Sequence, residues 1–377
     1  MDLSLSEEQH LLKHSVASFV RDNYSVELRR KLRATDAGFD LDTWRQFAEL
    51  GWLSLPFAEE DGGIGGNALD MMVVMEELGR GLVAEPYLVN IALCGAFLAR
   101  AEASQRAVFL PAIMAAEAQW AFAFAESHSR YNLAAVGMSA VPDGTGYLLT
   151  GEKIAVLNGH VADHIIVSAR TAGDTRDEDG ISLFVVAADD AGITRRNFPL
   201  VDGSGGANLC FDKVKVGADA LLGEAGAGLA LMEDVIAEAI VAMGAEAVGA
   251  MDALLEQTVE YTRTREQFGQ PIGKFQALQH RMAEMYLQCQ ALRSLLYHAA
   301  IARVENREDA IKAASALKVK LGEAGRFVSQ QAVQLHGGIG MTDEHEIGFF
   351  LKRARAAEVT FGDAPWHRAR WATLSGY

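Results

Sequence analysis

Leu278, Met282, Met285, Cys289, Leu292 and Leu296 recur at steps of four and three. That spacing lines apolar side chains along one face of a helix. It predicts a helix over 275–305 that packs into a bundle with a partner over 227–264 and further helices near 308–336 and 344–358. Between the first two, the stretch Tyr261–Met285 ends one helix at Arg265, turns through Gly269, Pro271 and Gly273, and starts the next. The opening third is also helical. Ser6 with Gln9 forms a capping box, Asp42 precedes a helix that stops at Gly51, and Asn67 precedes one that stops near Gly79. From 119 to about 216 the period shortens to β-type runs: WAFAFAE, GYLLTGEKIAVLNG, HIIVSAR, GISLFVVA and LCFDKVKV. Turn-rich segments separate them, and Thr171–Gly180 is the charged loop expected to move. The expected fold is a multidomain α+β chain: a helical domain over 1–118, a β domain over 119–221 and a four-helix bundle over 222–377. The second and third helices of the bundle are expected to mediate oligomerisation.

Composition narrows the function. The chain has 377 residues, half of them hydrophobic, and a net charge of −16 without a basic run. Nucleic acid and anionic membrane surfaces would repel it, so neither is an expected partner. Cys94, Cys210 and Cys289 are scattered among apolar neighbours, which fits core residues in a reducing compartment and no metal site. The start, MDLSLSEEQ, lacks the pattern of a secretory leader, and the longest apolar run, Leu88–Ala99, falls short of the ~18 residues of a membrane span. A cytoplasmic protein is expected.

Two stretches carry candidate binding chemistry. Arg265, Gln267 and Gln276 place a guanidinium fork and two amides at the turn between helices, able to hold a phosphate or an adenosine or simply to cap a helix hairpin. Gly337 and Gly338 end the third bundle helix, where a side chain is expected to obstruct and backbone N–H groups can approach a pyrophosphate. The glycines of LPFAEEDGGIGG, Leu55–Gly66, follow no strand and have the wrong spacing for a dinucleotide loop. They read as a structural turn.

The run R-x-Q-F-G-x-x-I-x-x-F-Q at 265–276 resembles the acyl-CoA dehydrogenase family. So do MEELGR at 75–80, the glycine turn at 55–66 and QLHGGIGMTDEHEIGFFLKRAR at 334–355. The resemblance spans the chain and implies three-domain architecture, FAD as cofactor, an acyl-CoA substrate and an electron-accepting flavoprotein as partner. It also implies that Arg265, Gln267, Phe268, Phe275 and Gln276, with Gln334, Leu335, His336, Gly337 and Gly338, reach the ADP half of an FAD held mainly by a neighbouring subunit.

The departures are as informative. The family removes the substrate α-proton with a carboxylate, in most members the glutamate of Y-E-G-T. Here the matching residues are Thr360, Phe361, Gly362 and Asp363. The family's second seat for the base falls on Ala239, followed by Ile240. The aromatic and hydroxyl residues that face the flavin are replaced by Ala155, Val156 and Leu157 ahead of Asn158-Gly159, and AESHSRYN at 125–132 keeps only Glu126 of its motif. Residues facing flavin and substrate have eroded, while those reaching towards a neighbour's cofactor remain. The pattern fits a catalytically degenerate partner in a heteromeric enzyme, a heterotetramer with a homologous catalytic subunit. It is similar to the small subunit of pimeloyl-CoA-type dehydrogenases and to the paired enzymes of steroid side-chain breakdown, through the helix at 245–255 and the ending F-G-D-A at 361–364. Two alternatives stay open. One is a self-sufficient homo-oligomer whose base has moved to Asp363, Glu246 or Glu238. The other is a non-catalytic interaction protein on the same fold.

Overall fold

The computed structural model describes residues 4–377; Met1–Leu3, where the segment read as lacking a leader begins, lie outside the described residues. The order is α1 (Glu7–Asn23), α2 (Val26–Arg33), α3 (Leu41–Glu49), α4 (Ala68–Arg80), a π-type helix at Leu88–Gly95, α5 (Ala96–Ala99) and α6 (Ala103–Met114). The strands follow: β1 (Trp120–Ala123), β2 (Ser139–Asp143), β3 (Gly146–Leu157), β4 (His164–Arg170), β5 (Ile181–Ala187), β6 (Ile193–Pro199), β7 (Gly205–Val216) and β8 (Leu221–Leu222). The chain then runs through α7 (Gly228–Thr264), the hairpin β9 (Glu266–Gln267) and β10 (Gln270–Pro271), α8 (Gln276–Val304), α9 (Ala310–His336), α10 (Ile347–Val359) and α11 (Ala364–Thr373). The fold is α+β, with helices, then strands, then helices, as the periodicities imply. Among the described residues no helix is long and apolar enough to cross a membrane.

The capping box at Ser6 and Gln9 forms at α1. At α3 the cap is Asp40 rather than Asp42. The Asp40 carboxylate accepts from the Thr43 N–H at 3.1 Å, while Asp42 sits in the first turn and pairs with Arg45. Among the strands that escaped the pattern, β6 and β2 did so for physical reasons. β6, an exposed strand at one end of the sheet order, carries Arg195 and Arg196 and shows no clean alternation, and β2 is five residues with Pro142 near its end.

The chain folds into two compact units. Among the described residues, one comprises 4–31, 67–83 and 240–377. In it α8 and α9 pack side by side, and α10 and α11 pack on α9. Met285, Cys289, Leu292 and Leu296 of the sequence stripe are fully buried. α4 crosses the same unit at very short range: a Cβ on Gly249 would stand 1.8 Å from the Glu76 carbonyl oxygen, so only glycine fits there. The other unit, residues 32–66 and 84–239, holds the eight-stranded sheet, ordered β6-β7-β3-β2-β4-β5-β8, with β1 parallel to β4. Its core is built from the alternating inward residues of these strands, among them Leu149, Val167, Phe184, Leu209 and Phe211.

Candidate functional site

The turn after α7 is a two-residue β-hairpin. Gln267 pairs with Gln270 and Glu266 with Pro271, and the two turn residues, Phe268 and Gly269, both have positive φ, 55° and 76°. Two consecutive left-handed residues give the twist that closes so short a hairpin. Asparagine or aspartate normally takes the first position, and here a phenylalanine does. Its ring stands 92% exposed, edge-on to Phe275 at 6.1 Å. Gly273 is required by close approach, since a Cβ there would lie 2.9 Å from the Thr262 carbonyl oxygen. The Gln267 amide folds back on the Glu266 carbonyl. The side chains of Arg265 and Gln276 make no hydrogen bond or ion pair among the described residues.

At the end of α9, Gly337 takes φ +65°, ψ −139°, and its N–H donates to the Gln334 and Val333 carbonyls. A Cβ at Gly337 or Gly338 would meet nothing within 4 Å. The expected steric obstruction is therefore absent: Gly337 is needed for its backbone angle, and no close contact requires glycine at Gly338. Both leave open space in front of the loop. Leu335 and His336 are buried, so what they can offer from outside is backbone. The Gln334 side chain has no hydrogen-bond partner among the described residues. The two stretches meet through Tyr261, one turn before Arg265. Its hydroxyl donates to the His336 carbonyl at 3.2 Å, and the two rings stack with centroids 4.3 Å apart. The uncommitted guanidinium of Arg265 and the uncommitted amides of Gln276 and Gln334 are the free side-chain donors of the two stretches, beside a glycine loop with open space in front of it. Donors of this kind can hold a phosphate or an adenosine.

The carboxylates tell the opposite story. Phe361, 8% exposed with φ +59°, occupies the seat of the expected base. Its carbonyl lies 3.0 Å from His367 Nε2, and the Lys318 ammonium donates to the Gly362 and Glu358 carbonyls at 2.7 and 2.9 Å. Burial pushes the Lys318 pKa down to about 7 and that of His367 to about 3. Asp363 is the N-cap of α11, accepting from the Trp366 N–H at 3.0 Å. Glu246 is ion-paired with Arg353, the side chains 12% and 17% exposed. The cavity beside the pair is only about 20 Å³ and is lined by Met243, Ala250, Leu321 and Phe350 among others. That is room for roughly one water and not for an acyl chain. Glu238 is paired with Arg100 at 2.7 Å, and Ala239 and Ile240 are buried.

In the β unit, Glu126 has a structural occupation. It accepts from the Gly137 and Met138 N–H groups at 2.9 and 3.1 Å and from the buried Lys153 ammonium at 2.7 Å. Lys153 also donates to Ser168 at 3.0 Å, and burial lowers its pKa to about 8 against the pull of Glu126. Ala155, at φ +51° on β3, offers a flavin neither ring nor hydroxyl. Sequence reasoning missed Lys153 and Lys318, because nothing in the pattern around either lysine marks it as buried.

Comparison with known proteins bears on the family and the fold. Residues 6–117, 121–214 and 226–373 match the N-terminal, middle and C-terminal domains of acyl-CoA dehydrogenase. Mitochondrial isovaleryl-CoA dehydrogenase of Pongo abelii is 31% identical over 97% of the chain and 88% of its own length. The structure of the ChsE4-ChsE5 complex from Mycobacterium tuberculosis superposes with TM-score 0.91 at 28% identity, covering 100% of this chain and 99% of the other. A Tcur3481-Tcur3483 steroid ACAD variant superposes with TM-score 0.89 at 29% identity, covering 99% of both chains.

Proposed function

Since this chain belongs to the acyl-CoA dehydrogenase family, whose members are FAD-dependent oxidoreductases, we propose that it works as the partner subunit of a heteromeric enzyme. In this role it contributes Arg265, Gln276, Gln334, Gly337 and Gly338 to an FAD whose flavin ring lies mainly in another chain. FAD, when bound, supplies the hydride acceptor for α,β-desaturation of a CoA thioester. This chain's residues would bind and orient: Arg265 by a charge-assisted contact to phosphate, Gln276 and Gln334 by amide contacts, and the glycine loop by its backbone. One contrast carries the reading. The side chains of Arg265, Gln276 and Gln334 are uncommitted among the described residues, while each carboxylate considered for base duty is already engaged: Asp363 as a cap, Glu246 with Arg353 and Glu238 with Arg100. The ChsE4-ChsE5 complex and the steroid ACAD pair, both named as two chains, support a heteromer. The pimeloyl-CoA and steroid side-chain subtypes and a flavoprotein electron acceptor belong to the same proposal.

Dye-linked oxidation of a panel of CoA thioesters tests it. The FAD-saturated lone chain is expected to be slower than a complete dehydrogenase by about 10²–10⁴-fold, the usual contribution of a positioned base. Co-expression with a homologue that carries the glutamate should restore turnover. Robust turnover by the lone chain, abolished by Asp363→Ala, would establish a relocated base instead.

A further inference from the structure

Three elements of the bundle unit meet in a small aromatic cluster. Tyr261 from α7 stacks on His336, the last residue of α9. His345, in the turn before α10, packs against both, with ring centroids 4.8 Å from His336 and 6.4 Å from Tyr261. The hydrogen bonds fix the proton on His336. Its Nδ1 lies 2.8 Å from the Ala332 carbonyl oxygen, which can only accept, so Nδ1 carries the hydrogen. Nε2 is then a buried acceptor with no partner among the described residues. His345 Nδ1 is on the other side of that balance, accepting from the Ile347 N–H at 3.4 Å. Both rings are therefore placed as neutral imidazoles.

We propose that Tyr261, His336 and His345 form a proton-sensitive clasp. It holds the glycine loop after α9 to the end of α7, and so sets Gln334, Gly337 and Gly338 relative to Arg265 and Gln276. The significance for FAD rests on the reading above; the clasp does not.

Protonating His336 would put an N–H at Nε2 in a buried place with no acceptor. Protonating His345 would replace the acceptor of the Ile347 N–H by a donor, and two imidazolium rings in contact repel. The groups facing His336 are the Tyr261 phenol from α7, the Ala332 carbonyl of its own helix and His345 from the turn. No carboxylate pairs with either imidazole among the described residues. Of the acids around His345, Asp343 pairs with Lys352 at 3.7 Å, Glu344 and Glu346 flank His345 in sequence, the latter interacting with Glu27 and Arg30, and Arg30 donates to the Asp343 and Glu344 carbonyls. Burial lowers both histidine pKa values. The clasp therefore holds above the ordinary histidine value of about 6.5 and loosens as pH falls through the depressed folded-state values.

Hydrogen exchange of the amides at 337–345, measured on the purified chain from pH 7.5 to 5.0 and corrected for intrinsic rates, reads the clasp directly. Bound flavin is measured in parallel. Protection should fall by about tenfold or more below pH 6.5 at these amides, since each proton taken up on opening contributes up to tenfold per pH unit, and should stay level within α8. The double variant His336→Phe/His345→Phe keeps the rings and should lose this pH dependence. Tyr261→Phe keeps the stack and loses the hydroxyl; its loop should exchange several-fold faster at pH 7.5. Equal protection at pH 7.5 and 5.0, wild-type pH dependence in the double variant, or wild-type protection in Tyr261→Phe overturns the clasp. A loop that opens in acid while FAD stays bound upholds the clasp and overturns the assignment of this loop to FAD.

Discussion

Replacing Glu246 by alanine separates a base from a strut. The carboxylate and the Arg353 guanidinium are both mostly withdrawn from water, against a wall that includes Met243, Met251, Leu321 and Phe350. Removing one member of such a pair leaves the other charge buried without it, a loss of about 3–5 kcal/mol in comparable cases. For a unit of this size each kcal/mol is worth roughly 2–4 °C in Tm, so Glu246→Ala should melt on the order of 10 °C lower. The pair also makes a sharper claim. Replacing both partners, Glu246→Met with Arg353→Met, should recover most of the loss, because apolar side chains of similar length fill the same space without a charge. Thermal denaturation of Glu246→Met, Arg353→Met and the double variant completes the cycle. A Glu246→Ala protein with wild-type Tm, or a double variant as unstable as the singles, would refute the strut. Abolished turnover with unchanged stability would make Glu246 a catalytic base.

Two further outcomes follow. Arg265→Ala should weaken FAD retention in the assembled enzyme by about tenfold to a hundredfold, the worth of one charge-assisted contact, with unchanged circular dichroism; equal flavin content in the two proteins would remove Arg265 from the site. Lys318, pushed down to about 7 in the fold from an ordinary value of 10.5, binds its proton less well folded than unfolded, so its contribution to stability grows as pH rises between those values. The stability difference between wild type and Lys318→Met should therefore shift in favour of wild type from pH 7 to 10, measured by denaturant unfolding, and a pH-independent difference would contradict the assignment.

The order of helices and strands was legible because burial writes its period into the chain: Met285, Cys289, Leu292 and Leu296 are the inward face of α8 as their spacing requires. β6 was not, because an exposed strand with two arginines has no apolar alternation to read. The turn at 265–276 was recognisable, and its closure by two left-handed residues, one of them Phe268, was not, since phenylalanine gives no local signal for positive φ. Glu126 shows the limit of comparing motifs. In sequence it is the lone survivor of a lost segment, and only the fold reveals the buried lysine that occupies it. The same holds for Asp363 and Glu246, whose caps and ion pairs depend on neighbours close in space: Trp366 three residues on, and Arg353 more than a hundred away.

Phe268 gives the chain a stake in stoichiometry. A phenyl ring held out on a closed hairpin, almost entirely in water, is an apolar anchor that the proposed partner subunit would cover. Copies made in excess of the covering partner would present that ring to chaperones and proteases, and mass action would set how many persist. If the heteromer proposed above forms, the amounts of its two subunits would be matched without a dedicated regulator, the surplus being removed by its own uncovered surface.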